Sequence, residues 1–333
     1  MKDLHLDSDG PPGRHGGVTG WRAITRVLRS TTPIKVAIRT TVADLTNTLL
    51  PSDCRLCASP MVAFARVRVC EACVARLDPN TAAPDQILCR RCGDTLDMES
   101  ARFTASMGIF ECPACRLAPP EFTRAVAFAN YDNEMREMLH LLKFLGQRHI
   151  AEHVLGHRMA TAIGKLRSEA ASGLIVIPVP LFAARQRQRG FNQATLLAEA
   201  AVKRLRGLDP TWNLRVHPHA LSRIKDTGAL YRMNPSERRH GLRGAFRVID
   251  ASALRGREIL LIDDIMTTGA TARECSRVLL AAGAAKVWVA TAARAQPELT
   301  QAAPQPQTFA RWDAPPARTP RVHQPHTAKQ KSF

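Results

Sequence analysis

Aromatic side chains are scarce in this chain of 333 residues: Phe, Trp and Tyr make up 5%, and tyrosine occurs twice. Single-stranded nucleic acid is commonly held on aromatics interleaved with basic residues, so a nucleic-acid role is allowed by charge without being signalled. Uninterrupted apolar runs of about 20 residues, the length of a membrane-crossing helix, are missing. The opening stretch MKDLHLDSDGPPGRHGG carries three early Asp and no apolar segment of the secretory type. A cytoplasmic location without membrane insertion is expected. Acidic residues are also in deficit, 29 against 47 Lys plus Arg, for a formal charge of +18. That excess favours phosphate-bearing partners and names none of them.

What is present starts with core: 45% of the residues are hydrophobic, over a length of roughly two domains. Eight of the nine cysteines fall between Cys54 and Cys115, as four CxxC pairs: Cys54/Cys57, Cys70/Cys73, Cys89/Cys92 and Cys112/Cys115. A CxxC turn lets two thiolates reach one ion about 2.3 Å away, and two such turns close the tetrahedral S4 site of structural zinc. Disulfides would need an oxidising compartment, and a redox centre would use one CxxC rather than four in succession. Two structural Zn2+ ions are therefore expected. Sequential pairing is the simplest arrangement, with Cys54, Cys57, Cys70 and Cys73 on one ion and Cys89, Cys92, Cys112 and Cys115 on the other. An interleaved pairing stays open. Gly93, directly after Cys92, suits the left-handed position of such a turn. The remaining Cys275, inside an amphipathic stretch, reads as a packed core thiol.

The chain divides by composition. Residues 1–33 are Gly/Pro-marked and basic and read as a disordered extension; 34–50, with Ile34, Val36, Leu45 and Leu49, fit a short helix before Pro51. Residues 51–118 form the cysteine block. Residues 121–295 alternate strand and helix patterns, and the Pro/Gln-rich 296–333 read as a disordered tail. Within the third segment, Arg124–Tyr131, Leu174–Pro180, Glu258–Asp264 and Lys286–Ala293 predict strands. Asp132 or Asn133 can cap a helix carrying Met135, Met138, Leu139 and Leu142, a second helix runs through Ile163, and others are predicted over Asn192–Leu205 and Thr271–Ala282. The fold class is thus α/β with a mostly parallel sheet, preceded by a small Cys-rich zinc domain.

The most informative stretch is Leu260–Thr271, LLIDDIMTTGAT. An apolar strand ends in Asp263 and Asp264, and a loop of Thr267, Thr268, Gly269, Ala270 and Thr271 leads into a helix. Ligands of open α/β sheets sit beyond the carboxyl ends of strands, and a helix N-terminus offers free N–H groups to a phosphate. Two carboxylates do not suit that same phosphate. They suit ribose hydroxyls beside it, directly or through Mg2+. Neither the Walker spacing nor GxGxxG is present.

These residues resemble the signature of the type I phosphoribosyltransferases, which bind phosphoribosyl pyrophosphate (PRPP). More narrowly, the chain is similar to the ComF family of competence-associated, phosphoribosyltransferase-like proteins with an N-terminal double zinc ribbon. The resemblance runs from about Leu50 to Ala293 and rests also on the cysteine block, on LLKFLG at Leu141–Gly146 and on PVPLFAARQRQRGFNQA at Pro178–Ala194. It implies PRPP and Mg2+ as ligands, Asp263 and Asp264 as the catalytic, ribose-binding acids, and Thr267–Thr271 as the 5-phosphate loop. Arg185, Arg187 and Arg189 then border the diphosphate, while Gly190, Phe191, Asn192 and Gln193 shape the turn and cap the next helix.

The implied reaction transfers ribose 5-phosphate to a nitrogen acceptor, releases pyrophosphate and is tied to DNA uptake. Two positions depart from the family pattern: Leu230 where Gln is usual and Gly241 where Asn is usual. They point to alternatives, a silent PRPP sensor or an accessory that engages single-stranded DNA or competence proteins. Elsewhere, His149, His153 and His157 recur at helical spacing and read as a polar helix face. The run Ser236–Arg243 reads as a solvated basic segment.

Overall fold

The computed structural model describes residues 52–61, 67–77, 87–227 and 240–296. The expected extension, the 34–50 helix, the tail after Gln296, Leu230 and the first half of the Ser236–Arg243 run lie outside them.

The cysteine block opens with a two-stranded ribbon, β1 (Ser52–Asp53) and β2 (Pro60–Met61), followed by three helices, α1 (Glu71–Ala75), α2 (Met98–Ser106) and α3 (Pro113–Leu117). Asp97 caps α2 by accepting from the Ser100 amide at 2.7 Å. Then come β3 (Arg124–Asn130), α4 (Asn133–Phe144), a π-helical turn (Ala151–Leu155) that continues as α5 (Gly156–Gly164), and β4 (Gly173–Pro178). The second half holds α6 (Ala183–Arg189), α7 (Gln193–Leu208), β5 (Asn213–Val216), β6 (Leu221–Arg223), β7 (Phe246–Val248), β8 (Glu258–Met266), α8 (Ala270–Ala281) and β9 (Lys286–Arg294).

Five strands form one sheet in the order β3-β9-β8-β4-β5, and every neighbouring pair is parallel. The parallel α/β class expected from the alternating pattern is what forms. Continuous apolar runs such as Ile259–Ile262 are buried because both faces of the sheet are covered. Leu260 and Ile262 face one core with residues of α4, α5 and α7, among them Met138, Ile163 and Leu197. Ile259 and Leu261 face the other, with Cys275 and Leu279 of α8. Cys275 is fully buried there, as a core thiol.

The cysteine block feeds both cores. Cys54 and Cys73 pack with Val126 and Phe128 on one side of edge strand β3, whereas Cys89, Cys92, Cys112 and Cys115 pack with Phe122 and Ala125 on the other. Strand β8 runs two residues past the expected end, because its ladder with β9 continues to the pair Met266 and Arg294. The helix expected through Ile163 begins as a π turn, and Gly156 explains the close fit at its start. A Cβ there would lie 2.4 Å from the Ala200 Cβ on α7 and 2.6 Å from the Ala151 carbonyl oxygen. The short strands β5, β6 and β7 carry too little periodicity to announce themselves; β6 and β7 pair antiparallel beside the carboxyl ends of the sheet.

Candidate functional site

Both cysteine clusters assemble with sequential pairing: the thiols of Cys54, Cys57, Cys70 and Cys73, and those of Cys89, Cys92, Cys112 and Cys115, lie within 4.8 Å of one another. The separations Cys54–Cys73 (3.9 Å), Cys57–Cys70 (3.7 Å) and Cys92–Cys112 (3.7 Å) match the edge of a tetrahedron of about 2.3 Å radius, close to 3.8 Å. Each cluster is built the same way. The first pair sits in a loop whose next residue is left-handed, Ala58 at φ 56° and Gly93 at φ 69°. The second pair brackets the first turn of a helix, with Cys70 capping α1 and Cys112 capping α3. A helix N-terminus favours thiolate.

Sulfurs this close cannot all ionise unaided. Hydrogen bonding within the second cluster pulls Cys89 down, and Cys112 to about 7, while it pushes Cys92 and Cys115 up. Hydrogen bonds from Ser59 pull Cys57 down to about 6. A divalent cation resolves that conflict, so the donor sets fit zinc. Around the first cluster, the Leu56 and Cys70 amides and the Arg76 guanidinium point at the sulfurs, Arg76 Nη2 lying 2.8 Å from Cys73.

The phosphate-loop residues gather at the carboxyl end of β8. Gly269 is left-handed at φ 74° and starts α8; a Cβ there would touch the Met266 methyl at 3.2 Å. The Thr268 hydroxyl is buried without a hydrogen-bond partner among the described residues. Thr267 is exposed, Gly269 and Ala270 are buried, and Thr271 lines two cavities of about 680 and 320 Å³ that share Lys143, Asp263 and Asp264. A separate cavity of about 480 Å³ lies along β3, away from these acids.

Asp263 and Asp264 differ in their surroundings. Burial and the adjacent Asp264 charge raise the Asp263 carboxyl well above the carboxylate range. Burial opposes ionisation of Asp264 as well, yet the Lys143 ammonium, ion-paired with it, and hydrogen bonds from Asp263 and Gln193 hold it below that range. Gln193 Nε2 lies 3.5 Å from Asp264 Oδ1, and Arg189 donates to the Gln193 amide oxygen. The surroundings thus push the two neighbouring carboxyls in opposite directions, Asp263 up and Asp264 down.

Of the predicted arginines, Arg185 and Arg189 line the larger cavity, whereas Arg187 is exposed on α6 and is not part of its lining. Gly190 ends α6 at φ 78°, and Asn192 caps α7 through the Ala194 amide at 2.9 Å while donating to the Val179 carbonyl at 2.9 Å. These two residues build the turn rather than the cavity wall. Gly241 is exposed, on the short helical turn before Ala245.

Sequence reasoning missed four contributors. Lys143 was visible only as part of LLKFLG. Arg223, on β6, joins the larger cavity; burial lowers its pKa and that of Arg189, and the Arg185 charge lowers both further. Three guanidiniums thus share one cavity with Asp263 and Asp264, and their planar forks suit the oxygens of an anionic ligand. Arg294 is buried at the end of β9 and donates from Nη1 to the Met266 carbonyl at 3.1 Å and to the Thr267 carbonyl. Its Nη2 lies 3.4 Å from Asp94, two residues after Cys92, so the second cysteine cluster braces the phosphate loop.

The chain is 30% identical to the DNA utilization protein YhgH of Escherichia coli O157:H7 over 244 residues, which cover 72% of this chain and 96% of that protein. Competence protein F of Haemophilus influenzae is 29% identical over 55% of this chain and 78% of its own length. Competence protein ComFC of Bacillus subtilis is 31% identical over 46% of this chain and 57% of its own. No protein-family model matches the chain.

Proposed function

The chain belongs to the ComF family, together with competence protein F and the DNA utilization protein YhgH, and from that premise we propose that it binds PRPP and transfers its ribose 5-phosphate to a nitrogen acceptor in the use of incoming DNA. The observation that carries this reading is the joint geometry at the end of β8: two adjacent carboxyls, one of them ion-paired with Lys143, an unpartnered Thr268 hydroxyl at a helix start, and three arginines in the adjoining cavity.

In this reading the Thr268 hydroxyl and the first N–H groups of α8 hold the 5-phosphate. Asp264, kept ionised by Lys143 and Gln193, accepts from a ribose hydroxyl, and Asp263 lies beside the second. Arg185, Arg189 and Arg223 face the diphosphate. The bond from C1 to the diphosphate oxygen breaks, a bond from C1 to nitrogen forms, and the nitrogen's proton passes to solvent. The transition state is oxocarbenium-like, so the chain's contribution is positioning together with electrostatic stabilisation of the departing pyrophosphate. Asp263 and the ligand's own oxygens fit Mg2+, which when bound supplies further charge neutralisation there.

The test is a pyrophosphate assay on zinc-loaded protein with PRPP, Mg2+ and a panel of nitrogen nucleophiles including ammonia and nucleobases. Acceptor-dependent release supports transfer, and its loss in Asp264→Asn ties it to this site. PRPP binding without release under every acceptor overturns transfer and leaves a PRPP sensor. DNA binding that weakens steeply with salt and ignores PRPP would replace both.

A further inference from the structure

Sequence reasoning read His149 and His153 as part of a polar helix face; the structure gives that face a chemistry of its own. The two imidazoles stand one helical turn apart, with ring centroids 6.0 Å apart and planes 23° from parallel. Glu152 lies between them in sequence, its Oε2 3.7 Å from His153 Nε2. One ligand atom from each of the three falls within 4.8 Å of the others, and all three side chains are exposed.

The platform beneath them is firm. Ile150, Ala151, Val154 and Leu155, which alternate with the three, are 0–4% exposed and belong to the core under the sheet. The segment Ala151–Leu155 is a π-helical turn, a rare form found frequently at functional sites. Arg148, just before it, donates to the Gly190 carbonyl at 3.2 Å and lies over the Phe191 ring, which ties the turn to the one after α6.

We propose that His149, Glu152 and His153 form a third metal site, for a divalent transition ion of the zinc class. Two imidazoles and a carboxylate are the borderline N/O donor set of such ions, distinct from the all-thiolate clusters. The order His-x-x-Glu-His places both imidazoles on one helix face, as metal-binding helices do. Exposed side chains can rotate to the separation of about 3.3 Å that metal–nitrogen bonds of about 2.0 Å require. The remaining coordination positions open to water, so this ion exchanges readily while the all-thiolate clusters, whose four ligands close the coordination shell, keep theirs. His157, a turn further on, lies outside the set. The inference does not depend on the PRPP reading.

The experiment uses untagged full-length protein with both cysteine clusters zinc-loaded, titrated calorimetrically with Ni2+ while zinc content is monitored. One further equivalent should bind, His149→Ala/His153→Ala should weaken that event at least about tenfold, and Glu152→Gln should weaken it less. Paramagnetic broadening by Ni2+ should centre on residues 148–154. Equal binding by wild type and double variant, or broadening centred elsewhere, overturns the site. Because the altered side chains are exposed, unchanged far-ultraviolet dichroism is expected of both variants.

Discussion

Replacing Asp94 by Asn is the sharpest perturbation of the link between the second cysteine cluster and the phosphate loop. The Asp94 and Arg294 side chains are 14% and 7% exposed and 3.4 Å apart. Asn keeps the shape of Asp94 and removes the carboxylate paired with Arg294, while the Met266 and Thr267 carbonyls still accept from Nη1. Breaking a buried pair from one side costs about 3–5 kcal/mol. Burial already pushes the Asp94 carboxyl up against the pull of Arg294, which places this pair near the low end, about 3 kcal/mol. The assay is urea unfolding of zinc-loaded protein, with a lower midpoint and unchanged slope expected. Arg294→Met supplies the other arm of a double-mutant cycle, and the double variant should cost clearly less than the two singles together. A loss below about 0.5 kcal/mol in Asp94→Asn, or strict additivity, would refute the brace and leave the cluster a neighbour of the loop rather than its support.

Gly156→Ala should destabilise the protein by about 2–3 kcal/mol in the same assay, since the new methyl meets Ala200 and a backbone oxygen and neither helix can yield cheaply. Ala58→Gly should raise stability by about 0.5–1 kcal/mol, because Ala58 holds φ 56° after Cys57; an unchanged melting temperature would contradict that. Under the proposed function, PRPP–Mg2+ selects the ionised form of Asp263, whose pKa is raised by burial and by Asp264. Protons then compete with the ligand: affinity should rise with pH until Asp263 is ionised, and a flat calorimetric profile between about pH 6 and about pH 8 would count against Asp263 as the second acid.

Local chemistry made the central pieces readable. The apolar run before Asp263 and Asp264 needs only a covered sheet, Asp132 caps α4 through the Met135 amide, and Asn192 caps α7. The cysteine pairs declared a metal site, but only the fold chose sequential pairing, by setting each loop against the helix that follows it. Arg294 and Asp94 were unreadable because they meet across 200 residues of sequence, and neither lies in a recognisable pattern. Arg223 was hidden for a related reason: β6 is three residues long, and its place beside Phe182 is fixed by pairing across the chain. The π turn escaped because its apolar spacing is that of an ordinary helix.

The most direct test of the site is calorimetric titration of zinc-loaded protein with PRPP and Mg2+, beside Asp263→Asn/Asp264→Asn and the milder Thr268→Val. The account predicts one equivalent bound by wild type, at least about tenfold weaker binding by Thr268→Val, and none by the double variant. No heat from folded, zinc-loaded wild type, or equal affinity in all three proteins, would contradict it.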